Sequence, residues 1–270
     1  MEDGSPATIE KGIYNHHTLT RDTKKLVKPW ISRCDTTDPA TELAKEVKAS
    51  TAGFLGTGED NGNDRTFYTS RTDTNFEGGY WIGENDEFMV QLDLVNYNDK
   101  PVSVYATMDL EYLPGNIGAN AVTRLLSVTG CGKRKIALDK TGRTETKSDG
   151  FVILEDGDIM YGKGHMHDGG VEMQLFVNDQ PVCTSKATYG GEGGEMEVDG
   201  KKWETISGMG ECGKSIPVKK GDSLKMSSVY DLAAHPLREG HDGAEAGVMG
   251  MWSLGFAASG AAQKEGMFVS

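Results

Sequence analysis

Apolar and polar residues alternate along this chain in short runs, with the two-residue period of strands rather than the longer period of helices. The clearest run is Phe88–Val95 (FMVQLDLV), where Phe88, Val90, Leu92 and Leu94 share one face. Val102–Tyr112 (VSVYATMDLEY) alternates as cleanly, and Asn96-Tyr97-Asn98-Asp99-Lys100-Pro101 between them is turn material, so the two runs predict a hairpin. Further strands are predicted at Arg124–Val128, Gly150–Leu154, Asp158–Lys163, Gly170–Val177, Ser223–Tyr230 and Val248–Ala257. Only Thr41–Lys48 (TELAKEVK) reads as helix. The stretch Gly53–Gly79, rich in Gly, Asp, Asn and Thr, predicts an ordered surface loop. Its Asp60, Asn61, Asn63 and Asp64 are oxygen ligands of the calcium type, but their spacing is not that of an EF-hand, and acidic turn residues are usually only solvated. With 36 glycines and almost no helical periodicity, the chain is expected to be all-β, its seam falling near Leu113-Pro114-Gly115-Asn116.

Charge narrows the partners. Against 41 acidic residues stand 28 basic ones, a formal net charge of -13 that repels phosphate backbones and anionic lipid surfaces. Neither nucleic acid nor a membrane is expected as a partner, and no apolar run approaches the roughly 20 residues that span a bilayer. The start MEDGSPATIEKG lacks the basic-then-apolar pattern of a secretory signal, which leaves a cytosolic protein or one whose signal has been removed. Cys34, Cys131, Cys183 and Cys212 are widely spaced and form no CxxC, so two disulfides in an oxidising compartment are preferred over four buried thiols. Of the three possible connectivities, Cys183 with Cys212 and Cys34 with Cys131 is the pairing expected. Secretion, with the signal peptide presumed removed, is the matching expectation.

The chemistry lies in six histidines that fall into three groups: His16-His17, His165-His167 and His235-His241. In GHMHDGG the i, i+2 spacing puts His165 and His167 on one face of a strand, with Cβ atoms about 6 to 7 Å apart, so both can grip one ion. Imidazole suits copper, zinc, nickel or iron, while two histidines on an edge strand are the plain alternative. Third-ligand candidates are His235, His241, Met249 and Met251. On a strand near Val248, Trp252, Leu254 and Phe256 face the core and the two methionines face away; a thioether selects copper(I), although methionine is usually a packing residue. Asp168 is a candidate to orient an imidazole, or simply a turn residue before Gly169-Gly170. Adjacent His16 and His17 point to opposite faces of a regular strand, so both reach one metal only if the backbone there is irregular.

In order, NHHTL, FMVQLDLVNYND, MDLEYLP, FVILEDGDIMYGKGHMH and GVMGMWSLGF resemble the copper type II, ascorbate-dependent monooxygenases, the family of peptidylglycine α-hydroxylating and dopamine β-monooxygenases. The phrases YNHH, DNGN, VNYN, GHMHDGG, ATYG, PVKKGD and VMG are closer still to stress-up-regulated nodulin-type proteins of plants and fungi. The resemblance implies two antiparallel, jelly-roll-like β-sandwich units packed together: residues 1–114 with the His-His pair, and 115–270 with the HxH and Met copper site. It implies copper at His165, His167 and Met249, with Met249 rather than Met251 as the sulfur ligand. In the electron-transfer site, Asn96 stands where the family has a third histidine; its amide is a poor copper(I) ligand. His16 and His17 are then a two-coordinate site or part of a polar pocket, and His235 and His241 are ligands or pocket-lining residues.

The function implied is a secreted copper-dependent monooxygenase or oxidase acting on a small organic substrate, with electrons from an external reductant such as ascorbate. Asn96 keeps two others open: a non-redox metal-dependent cyclase, isomerase or hydrolase on the same fold, and a stress or cell-surface binding protein with a vestigial site.

Overall fold

The structure, a computed structural model, describes residues 1–32, 51–57, 65–70, 78–115, 118–129, 136, 138–191, 194–198, 201–237, 248–259 and 268–269. Thr41–Lys48, the four calcium-type residues, Cys34, Cys131 and His241 lie outside them. After a 3-10 turn at Ile9–Lys11, the first strands are β1 (Ile13–Val27), β2 (Thr51–Thr57), β3 (Gly78–Gly79), β4 (Phe88–Asn96) and β5 (Ala119–Ser127). There follow β6 (Arg143–Lys147), β7 (Phe151–Val152), β8 (Gly157–Met166), β9 (Gly170–Val177), β10 (Gln180–Tyr189), β11 (Glu195–Val198) and β12 (Lys201–Glu204). The last are β13 (Ile206–Met209), β14 (Glu211–Cys212), β15 (Ile216–Val218), β16 (Ser223–Asp231), β17 (Gly250–Ala258) and β18 (Phe268–Val269).

The molecule is all-β, with no α-helix among the described residues. A ten-stranded sheet runs β14-β8-β17-β5-β2-β1-β18, with β15 also on β8, β3 on β5 and β4 on β1. A six-stranded sheet runs β13-β10-β9-β16-β6 with β7 on β16, and β11 with β12 forms a separate ribbon. Strands from before and after Pro114 share the larger sheet, where β2 meets β5 at Gly53 and Thr123.

Alternation explains the core. Trp252, Leu254 and Phe256 on β17 are fully buried and face the second sheet, which answers with Met173 and Leu175 on β9 and Leu224 and Met226 on β16. Trp30 closes the end of this layer, stacked on Phe256 at 4.4 Å between ring centroids. Each such aromatic contributes through its buried area, and the stacked pair adds about 1 kcal/mol. The expected disulfide Cys183–Cys212 is present and ties β10 of one sheet to β14 of the other, the Cα atoms 6.0 Å apart.

The predicted hairpin is not formed. Residues 101–113 contain no strand, and β4 pairs with β1 instead, from Ile13 opposite Asn96 to Asp22 opposite Phe88. Alternation is a property of one segment and names no partner. The strand β1 itself, IYNHHTLTRDTKKLV, is too polar to announce itself; its buried positions are set by the sheet around it.

Candidate functional site

Strand β8 delivers His165 and His167 from its C-terminal end. Gly164 before them lies so close to β10 that an added Cβ would sit 3.0 Å from Ser185 Oγ, and its N–H donates to that hydroxyl. Side chains at 164 and 166 therefore face the core, and those at 165 and 167 face the opposite surface of the sheet. The chain then turns: Gly170 N–H donates to His167 O at 2.9 Å, and Gly169 takes a φ of 94° where a Cβ would clash with Leu232. Asp168 does not spend its carboxylate on display. It is buried and accepts from Thr205 Oγ1, the Ile206 N–H and Trp203 Nε1, which pins the turn to β12 and β13.

His16 and His17 arrive on β1 through an irregularity. Asn15 is opposite Leu94 and His17 opposite Asp93, so one residue, His16, is extra on the β1 side. This bulge breaks the alternation that would have sent the two rings to opposite faces. Their centroids lie 3.9 Å apart and both rings turn towards β8. His16 Nε2 is 3.2 Å from His167 Nε2, and His17 Nε2 is 3.3 Å from His165 Nε2. Ligand atoms of His16, His17 and His167 all lie within 4.8 Å of one another. The two histidine pairs thus form one cluster.

Burial and crowding favour the neutral form of two members of that cluster. Burial holds His165 well below the ordinary 6.5, reinforced by the neighbouring His167, His17 and His16 and by Lys163. His17 is also lowered, by burial and by His16, against an opposing pull from Asp93. On the outer side, Asp93 Oδ2 is 2.8 Å from His16 Nδ1 and 4.0 Å from His17 Nδ1.

The other expected residues fall around this centre. In the β17–β8 register Met251 is opposite His165 and Gly250 opposite Met166, which carries Met249 to the level of His167. A Cβ on Gly250 would touch Ser228 and Val128 in the core, so Met251, the next residue on β17, faces the histidine side opposite His165. Tyr230, buried on β16, fastens the junction: its hydroxyl accepts from the N–H groups of His167 and Met249 and donates to Met249 O. His235 is stacked flat on Tyr189 at 3.6 Å, and Tyr189 in turn bonds Gly169 and Gly170. Asn96 is exposed and turned to its own loop, donating to Lys100 O and accepting from Asn98.

Sequence reasoning passed over Asp93 and Tyr230. Asp93 carried a faint signal as the one charge inside FMVQLDLV, but nothing in the sequence marks the bulge that aligns it with the histidines.

Residues 125–258 match the family described as "Stress up-regulated Nod 19". Along most of its length the chain is also similar to two curated fungal proteins. It is 23% identical over 251 residues to "Probable copper-dependent oxygenase M1" of a Phoma species, covering 92% of this chain and 59% of that protein. It is 23% identical over 265 residues to "Probable copper-dependent oxygenase clz3" of Cochliobolus lunatus, covering 97% of this chain and 78% of that protein. The chain therefore spans less than two thirds of the first relative. The stretch that carries the similarity to the stress up-regulated Nod 19 family contains His165 and His167 at the end of β8 together with Met249 and Met251.

Proposed function

We propose that the chain is a copper-dependent oxygenase-like enzyme with one metal centre, held by His16, His17, His165 and His167 and completed by Met249. The observation that carries this reading is the approach of Nε2 atoms from the two pairs, 3.2 Å for His16–His167 and 3.3 Å for His17–His165. The donor set fits the group. Burial and crowding hold His165 and His17 below the ordinary imidazole value, so these two are available as neutral ligands, and a cation would relieve the crowding by sharing the lone pairs of the four rings. Imidazole with a thioether favours copper over zinc. The names of the two fungal relatives point the same way.

Copper there supplies one-electron redox chemistry and activation of oxygen. The protein's own residues set the geometry: Asp168 fixes the turn after His167, and Tyr230 holds that turn against the strand of Met249. With both histidine pairs in one cluster, His16, His17, His165 and His167 would hold the one copper that an external reductant, ascorbate or another small molecule, would serve. The substrate is a small organic molecule, and the protein works in the secretory pathway, where Cys183–Cys212 is stable.

A second reading keeps the metal and drops the redox cycle. It is favoured by the position of Asn96, turned away into its loop, so that Asn96 does not complete a separate electron-transfer site with His16 and His17.

The deciding experiment is metal analysis and copper titration of the protein purified without chelator, followed by oxygen uptake with ascorbate. One copper per chain with ascorbate-dependent uptake is expected. Two coppers of independent affinity overturn the single centre, binding without uptake selects the second reading, and no binding overturns both.

A further inference from the structure

The outer rim of the histidine cluster holds a carboxylate for which neither the family nor the relatives supply a role. Asp93 sits opposite His17 on β4 because of the bulge at His16. Its Oδ2 is at hydrogen-bond distance from His16 Nδ1, 2.8 Å, and 4.0 Å from His17 Nδ1. The Nε2 atoms of the same two rings point the other way, to His167 and His165. As a device for stability this arrangement is poor, since the Asp93 side chain is 57% exposed and exposed pairs of this kind contribute about 0 to 1 kcal/mol. Its geometry is that of a carboxylate–histidine–metal relay: an imidazole that donates Nδ1–H outward must present the Nε2 lone pair inward.

We propose that Asp93 is the positioning residue of the metal centre, fixing His16 in the Nδ1–H tautomer, holding His17 by charge, and supplying a negative charge beside a cation bound among the imidazoles. The proposal rests on the metal reading above and assigns Asp93 no contact with metal or substrate. Conversely, a centre so oriented loses affinity when the carboxylate is removed, even though every ligand remains. Outer partners of metal-bound histidines typically account for about 10- to 100-fold in affinity, and the exposure of Asp93 places it towards the lower end.

Two variants separate hydrogen bond from charge: Asp93→Asn keeps an acceptor, and Asp93→Ala removes both. Nitrogen-15 NMR of the metal-free chain above pH 8 reads the tautomer of His16, and copper titration with electron paramagnetic resonance reads the centre itself. The expected result is Nδ1–H at His16 in the native chain and in Asp93→Asn, and loss of that tautomer in Asp93→Ala. Copper affinity is expected to fall about tenfold in Asp93→Ala and less in Asp93→Asn, with altered nitrogen hyperfine splitting. If Asp93→Ala keeps the tautomer and binds copper within twofold of the native chain, the Asp93 role is overturned and the metal reading stands. A native chain that binds no copper overturns the metal reading and the positioning role with it.

Discussion

His165 and His167 stand at the end of β8, a strand paired with β17 on one side and with β14 and β15 on the other, whose inward residues rest on fully buried Met173 and Leu175. His16 and His17 stand on β1, at a bulge, against an edge strand: on β4 Met89, Val90, Leu92 and Leu94 are between 38% and 47% exposed. One pair is fixed by a core; the other is fixed by a ribbon of backbone hydrogen bonds with little packed on it. The lesson concerns coupling. A ligand that binds both pairs ties the weakly held strands to the rigid ones, so its binding energy becomes local stability of β1 and β4.

The comparison breaks first on truncation of like side chains in the two regions. Phe256→Ala, at a fully buried site stacked on Trp30, is expected to cost about 3 to 5 kcal/mol in urea unfolding. Leu92→Ala, at a site 45% exposed, is expected to stay within about 0.5 kcal/mol. Equal costs would mean that the β4 face is covered in solution and that the two regions are not different in kind. Next comes the link between the sheets. Replacing Cys183 and Cys212 together by Ser frees a loop of sequence separation 29, which should cost about 3 to 4 kcal/mol and lower the melting temperature. A change of less than about 1 kcal/mol would show that the sheets are joined by the core alone.

The same contrast governs what the sequence disclosed. Where a strand has one buried face over a continuous core, alternation reads directly, and β9 and β16 fall within a residue of Gly170–Val177 and Ser223–Tyr230. The core assignment of Trp252, Leu254 and Phe256 follows from the same rule. On β1 the rule has nothing to grip, because polar residues occupy both faces and register is imposed from outside. A bulge is one residue of pairing mismatch between segments some 75 positions apart, roughly the span from His17 to Asp93, and no local pattern records it. That is why the i, i+2 pair is legible as two imidazoles on one face of a strand, while its convergence with His16 and His17 and the nearness of Asp93 are not.

Copper binding sharpens the comparison at the histidines. With one shared centre, His167→Ala and His17→Ala should each weaken the same binding event, by more than the roughly 10- to 100-fold of an outer-shell change. Isothermal titration of both variants checks this. A variant that abolishes one event and leaves a second untouched would separate the pairs into two sites. Met249→Leu should weaken copper(I) binding and leave stability within about 1.5 kcal/mol, whereas Met251→Leu should leave the metal in place.

The smallest effect, and the one that separates the two pairs by environment, is the pH dependence of the metal-free protein. In the folded chain burial holds His165 well below 6.5, while in the unfolded chain it titrates near that value. Below pH 6.5 the unfolded state therefore takes up a proton that the folded state refuses, and stability is lost as pH falls. The loss continues down to the folded-state value, at no more than about 1.4 kcal/mol per pH unit for one such group. His17 has the same sign but a weaker cause, since it is only half-enclosed and Asp93 favours its charged form. Urea unfolding between pH 8 and pH 5 should accordingly show a slope that flattens in His165→Gln and flattens less in His17→Gln. The slope, unlike the absolute stability, is insensitive to any packing lost in the substitution. If His17→Gln flattens it more, then β1 rather than β8 carries the more deeply buried imidazole, and the two regions have to be exchanged in the account given above.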